Sequence, residues 1–195
     1  MTAIQAARGS SREAALAGPR VALRLFEARD LTPRYVGWLN DPEVTRYLEV
    51  GKRPVTREAA AAYVRRFLDG SAGRLFAIID QASGRHIGNV TLNHVDVRQG
   101  TADTGLMIGD TSFWGRGYAT EAWRLLFGHA FETLGLRVMT AGAVVGHEAS
   151  IRALRALGFT LEGTVHRDGP GFSWETYRFS LRREEFRAAA SAGRA

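Results

Sequence analysis

The sequence predicts an α/β (α+β) domain built on a single sheet, with elements in the order β-α-α-β-β-β-α-β-α-β-β. Three observations carry that prediction. Strand-like runs at 74–80, 87–96 and 102–108 are separated by Ser83-Gly84 and Gln99-Gly100, the spacing of an antiparallel meander. Soon after them Trp123, Leu126, Phe127, Ala130, Phe131 and Leu134 recur at helical spacing and form one continuous apolar stripe. The chain has 195 residues, 45% hydrophobic and 24% charged, which suits one globular domain and excludes wholesale disorder or a collagen-like repeat.

Taken in order, residues 1–19 mix Ala, Ser, Gly and Arg without a sustained apolar face and read as a flexible tail. Val21, Leu23 and Leu25 then alternate with Ala22, Arg24 and Phe26, which suggests a first strand. A short helix follows over 31–39, with Thr32-Pro33 resembling an N-cap and first-turn pair and Asn40-Asp41-Pro42 ending it. A second begins at Thr56-Arg57-Glu58, carries Ala60, Tyr63, Val64, Phe67 and Leu68 on one side, and closes at Gly70. After the meander and the long helix, 137–145 reads as a buried-type strand. Residues 148–157 read as a helix closed by Gly158, with Phe159 folding back over its last turn. A last pair of strands, 160–167 and 173–181, flanks a loop at Asp168-Gly169-Pro170-Gly171. The basic, Ala-rich stretch 184–195 reads as a second tail, which leaves 20–183 as the domain.

Several function classes fall at once. Cysteine is absent, so disulfide frameworks, thiolate zinc sites and cysteine nucleophiles are excluded, and no metal is expected. Apolar runs such as 75–79 are far too short to cross a bilayer, and the start lacks a secretory pattern; a cytoplasmic protein without membrane contact is expected. The net charge of +6 sits mostly at the ends. Arg8, Arg12 and Arg20 against Glu13 leave +2 before residue 21. Arg182, Arg183, Arg187 and Arg194 against Glu184 and Glu185 leave another +2 after residue 181. A nucleic-acid-binding domain gathers its charge on one folded face, so no such partner is expected.

The most informative stretch is 105–121, GLMIGDTSFWGRGYATE, where a strand enters a turn holding Gly115 and Gly117 and a helix begins. Free amides at a helix N-terminus, approached closely because of the glycines, suit a pyrophosphate, and Arg116 adds a charge. The plainer alternative is a tight turn and nothing more. Two other phosphate motifs fail. A Walker loop needs a lysine after its glycine, and the only lysine is Lys52. A dinucleotide loop needs a third small residue where Thr120 stands, and a parallel βαβ start where the meander lies.

WGRGYATEA, the helix after it, LRVMTAGAV and then SIRALRALGFTLEG together resemble the GNAT superfamily of acyl-CoA N-acyltransferases. The opening LRLFEARDL…WLNDPEVTRYL is similar to the RimJ/RimL-like branch, the ribosomal-protein alanine and serine acetyltransferases. The resemblance spans about residues 21–181. It implies a mixed, mostly antiparallel sheet flanked by helices and acetyl-CoA as co-substrate. Trp114, Gly115, Arg116, Gly117, Tyr118 and Ala119, with Thr120 just after, match the loop that wraps the coenzyme pyrophosphate; Trp114 stands where Arg or Gln is usual. Leu106, Met107 and Ile108 match the strand that pairs with the pantetheine arm, and 137–145 the neighbour that splays from it. In the family's Asn-x-x-Ser, His147 replaces the asparagine and Ser150 matches the serine.

The implied reaction is direct attack of a primary amine on the thioester in a ternary complex. It needs a base for the ammonium and benefits from an acid for the departing thiolate. Ser150 matches the proposed acid, and a first-turn capping role is compatible with that. Asp168 and Asp103 are the candidate bases, with Glu175, His94 and His166 behind them; each also reads as an ordinary surface side chain. The acceptor is a protein N-terminus or a small-molecule amine, and the protein a monomer or homodimer. The alternatives are a nucleotide- or NAD-binding module, with Glu148 holding a ribose, and a non-catalytic acyl-CoA sensor.

Overall fold

A computed structural model describes residues 16–191. Eight strands form one sheet in the order β1-β2-β3-β4-β5-β6-β8-β7. They are β1 (Leu16–Ala17), β2 (Val21–Leu25), β3 (Arg74–Asp80), β4 (Arg85–Asp96), β5 (Thr101–Ile108), β6 (Val138–Val144), β7 (Thr160–Gly169) and β8 (Phe172–Arg182). Every neighbouring pair is antiparallel except β5 and β6. The helices are α1 (Pro33–Asn40), α2 (Arg57–Leu68), α3 (Tyr118–Gly128), α4 (Glu148–Ala156) and α5 (Arg183–Ser191).

Local chemistry explains the boundaries. The Thr32 and Thr56 hydroxyls accept from the Tyr35 and Ala59 amides, capping α1 and α2. The β3–β4 turn closes on Asp80, whose carboxylate accepts from the Ser83 amide and hydroxyl. At the end of α4 the Phe159 amide donates to the Leu154 carbonyl and the Gly158 amide to Arg155, a closure that needs Gly158 at φ 92°.

The sheet separates two cores. On one face α3, α4 and Phe186 of α5 pack on Leu23, Ile78, Leu92, Met139 and Phe179. On the other, α1 and α2 pack on Phe26, Leu75, Ala77 and Met107. The apolar stripe that begins in α3 is buried from Trp123 to Phe131, with Leu126, Phe127 and Ala130 fully inside and Leu134 half-buried. Burying a leucine or phenylalanine side chain stabilises by about 1.5–3 kcal/mol, so this stripe holds the helix N-terminus firmly against the sheet.

The structure departs from expectation in four places. The stretch expected as a flexible tail to residue 19 holds β1, whose Leu16 and Ala17 pair with Leu23 and Ala22; residues 1–15 lie outside the described part. The expected tail from 184 is a helix to Ser191, because Phe186 enters the core at 8% exposure and Arg187 bonds Glu132 at 2.7 Å. The α3 stripe continues past Gly128 as a π turn, His129–Thr133, in which Ala130 and Phe131 stay buried while the hydrogen-bond pattern widens. Finally, β6 is buried on one face only: Met139, Ala141 and Ala143 face the core, and Gly142 is exposed.

Candidate active site

The site begins where the sheet splits. The strands β5 and β6 pair in parallel through Thr101–Thr104 and Val138–Ala141, and no further. Beyond that point 105–108 and 142–144 bound an open wedge. The Gly105 and Gly109 amides point toward β4, bonding the Thr91 hydroxyl and the Ile87 carbonyl. Alternation therefore aims the main-chain groups of Leu106 and Ile108 into the wedge and those of Met107 away from it. Met107 also buries its side chain beneath α1 and α2. It thus departs from the expected role of pairing with a bound chain. Trp114, 39% exposed, donates its indole N–H to the Ile108 carbonyl at 2.8 Å and closes the outer end of the wedge.

Beside the wedge lies the glycine loop. Gly115 and Gly117 adopt φ 69° and 81°, and Gly117 is the N-cap of α3 without a capping side chain. None of the amides from Gly115 to Thr120 bonds an acceptor among the described residues. A ring of residues that the sequence reading missed secures this loop. Glu121 accepts from the Arg20 and Val21 amides at 2.7 and 2.9 Å and from the Arg20 guanidinium at 2.9 Å. Burial alone would raise the Glu121 carboxyl, but these donors hold it below its ordinary value. The same Arg20 donates to the Arg116 carbonyl at 2.8 Å. Tyr118 is buried and donates its hydroxyl to Asp80, with the Arg20 and Arg116 guanidinium groups 5.0 and 5.7 Å from its ring centre. Free amides under two cations make an anion site. Arg20 and Glu121 are about one hundred residues apart, so only the fold joins them.

Across the wedge, His147 occupies the N-cap of α4 but makes no capping bond. Its ring stacks on Tyr47, centroids 4.3 Å apart and 16° from parallel, and burial lowers its pKa. Ser150 lies half-buried in the first turn, with its hydroxyl unbonded among the described residues.

The two candidate bases fall on opposite faces. Asp103 pairs with Thr140 and belongs to the α1–α2 side; it accepts from the Thr140 hydroxyl at 2.8 Å, at the closed end of the wedge. Burial pushes its carboxyl up, against the opposing pull of that hydroxyl and of Arg178, His94 and Arg167. Asp168 is not in a loop, as expected, but within β7 opposite Ser173, on the α4 side. It is fully exposed, and hydrogen bonds from Ser173 and then His166 hold its carboxyl down. His166 also meets Glu175 at 2.7 Å, so these three expected candidates form one exposed cluster away from Asp103. His94 adopts φ 49° at an irregularity of β4 and lies close enough to pull on the Asp103 carboxyl.

Over the Asp103 face runs the connection from α1 to α2. Tyr47 donates to the Gly146 carbonyl at 3.2 Å, Glu49 meets Arg167 at 2.6 Å, and the Lys52 ammonium lies 4.9 Å from the Trp174 ring centre. These contacts roof the approach to the wedge from that side.

A mostly antiparallel sheet opened between two parallel strands, beside a helix N-terminus of free amides, is the architecture of an acetyltransferase. The acetyltransferase (GNAT) domain family matches residues 20–160, and the chain belongs to that family. The chain is 31% identical to an uncharacterised N-acetyltransferase, p20, of Bacillus licheniformis, over 86% of this chain and 95% of that protein. In structure it is similar to a GCN5-related N-acetyltransferase from Brucella melitensis, with TM-score 0.77, 24% identity, and coverage of 95% of this chain and 87% of that one. It is also similar to a spermidine N-acetyltransferase from Vibrio cholerae, solved with CoA and spermine, with TM-score 0.76, 19% identity, and coverage of 87% and 99%. These two likenesses concern the fold. Among the described residues no helix is long and apolar enough to cross a membrane.

Proposed function

We propose that this acetyltransferase moves an acetyl group from acetyl-CoA to a primary amine by direct attack in a ternary complex, as a RimJ/RimL-like member of its family. The reading is carried by the split between β5 and β6, with Asp103 at its closed end on one face and Ser150 in the first turn of the helix that follows β6, on the other. Acetyl-CoA supplies the thioester. The amides from Gly115 to Thr120, with Arg116, hold its pyrophosphate, and Leu106 and Ile108 pair with the pantetheine arm. Asp103 accepts a proton from the incoming ammonium, a task for which its raised pKa suits it. The amine nitrogen bonds to the acetyl carbon as the carbon–sulfur bond breaks, Ser150 delivers a proton to the sulfur, and the second proton shed by the nitrogen passes to solvent, from which Ser150 regains its own. The acceptor is a protein N-terminus or a small-molecule amine, the working unit includes the ordered ends at 16–19 and 184–191, and the protein acts in the cytoplasm.

Thermal shift with acetyl-CoA, CoA, NAD and ATP in parallel, followed by an amine screen for release of free CoA, tests this. A ligand at 100 times its Kd stabilises by about 2.7 kcal/mol. Acetyl-CoA and CoA are expected to stabilise, and NAD and ATP not. Stabilisation by NAD alone would overturn the proposal. Stabilisation by acetyl-CoA with no turnover on any amine would leave only a sensor.

A further inference from the structure

One cation on the acceptor face acts on Asp103 only at a distance, lowering its carboxyl, and makes no bond to it. Arg178 is exposed on β8 and makes no hydrogen bond or ion pair among the described residues. Its strand partner is Gly142, so no side chain rises directly beside it, and the space there is bordered by the Thr176 methyl, 3.3 Å from where a Cβ would stand. Thr140 pairs with both Asp103 and Ser180, and Arg178 lies two residues from Ser180, so Arg178 and Asp103 share one face. Arg178 stands one step further toward the open end of the wedge. Strands about 4.8 Å apart with a rise of about 3.3 Å per residue put the two Cα atoms roughly 12 Å apart. Side chains that stand up from the sheet keep their charges about that far apart, which leaves room for an ammonium and an anion separated by a few carbons.

Several other charges of this face have partners of their own. Arg167 is bonded to Glu49 at 2.6 Å, and the Lys52 ammonium donates to the Thr45 and Arg46 carbonyls. The Arg46 guanidinium lies over the Tyr47 ring at 5.3 Å. Among the carboxylates, Asp103 is bonded by Thr140 and Glu162 by Ser180.

We infer that the acceptor is a small amine carrying a carboxylate a few carbons away, its nitrogen placed at Asp103 and its carboxylate on Arg178, and not a polyamine. The inference rests on the acetyl-transfer reading above. A guanidinium presents a planar fork that matches a carboxylate in two parallel bonds. A second ammonium in that place meets a like charge in a partly desolvated cleft and is rejected. The roof made by Tyr47, Glu49 and Lys52 restricts the approach, which favours a small acceptor.

The test uses ω-amino acids with two to four methylenes, each against the n-alkylamine and the diamine of matching length, read as kcat/KM for CoA release. For at least one length the amino acid is expected to exceed both by tenfold or more, chiefly through KM. In Arg178→Gln that preference over the alkylamine is expected to fall at least tenfold, Arg178→Lys is expected to restore part of it, and Arg178→Glu to shift preference to the diamine. Transfer to alkylamines or diamines with no amino-acid preference, or a preference that Arg178→Gln leaves intact, overturns this inference and spares the acetyl-transfer reading. Turnover on none of these amines also overturns this inference, and the acetyl-transfer reading falls with it only if peptide N-termini and the wider amine screen release no CoA either.

Discussion

Tyr47 and His147 stack face to face, 4.3 Å apart, and so tie the α1–α2 connection to the turn that opens α4. The pairing joins the roof over the Asp103 face to one lip of the wedge, and its histidine stands where the resemblance implies an asparagine. Because burial lowers the pKa of His147, the stack holds a neutral ring. The unfolded chain then binds a proton more readily, from about pH 6.5 downward. Stability contributed by the neutral ring is present above that pH and is lost as pH falls toward the depressed folded value. His147→Gln is expected to flatten the fall of Tm between about pH 7 and 5. Parallel melting curves check this, and unchanged steepness would mean that His147 takes up its proton equally in the folded and unfolded states.

Gly117 sits at φ 81°, and a Cβ there would come 3.3 Å from the Arg20 guanidinium. A β-branched residue is strained in that region and turns the loop amides out of line. Gly117→Val is expected to weaken acetyl-CoA binding at least tenfold, about 1.4 kcal/mol, with the fold retained. Calorimetry checks it; equal affinity would exclude the loop from coenzyme binding.

Asp103 and Asp168 are separated by the sheet, and their variants are expected to differ. A half-buried base with a raised pKa gives a rate that falls as pH drops through that pKa, so Asp103→Asn is expected to replace this limb by one at higher pH, set by the amine itself. Asp168→Asn is expected to keep the wild-type profile. Ser150→Ala is expected to lower kcat about 10–100-fold with little change in acetyl-CoA binding. A profile moved by Asp168→Asn and not by Asp103→Asn would reverse the assignment of the base.

The chain ends are expected to matter for stability. Trimming to 20–183 removes β1 and most of α5, including buried Phe186 and the Arg187–Glu132 pair. Phe186 alone is worth about 2 kcal/mol, so Tm is expected to fall by roughly 5 °C or more. A melting temperature within a degree of the full chain would show that neither end is docked in solution.

Much of the fold was legible because its signals are local. The strand bounds 74–80 appear unchanged in the structure, and the caps at Thr32 and Thr56 act where the sequence placed them. Such features need only neighbours within a few residues. The ends were misread for the opposite reason. Two residues at 16–17 carry no periodicity, and they pair only because β2 offers an edge. Phe186 is one apolar residue among alanines and arginines until α3 supplies a surface for it.

By itself the sequence determined the order of the elements between residues 21 and 182, the glycine turn at 115–117 and the serine at the start of α4, since each is set by spacing along one short segment. The tertiary structure alone decided which faces those residues share. It paired Arg20 with Glu121 to secure the loop, stacked His147 on Tyr47, and set Asp103 and Arg178 on one side of the sheet and Asp168 on the other. A strand sends alternate residues to opposite faces, and which face meets the wedge depends on register between strands distant in sequence.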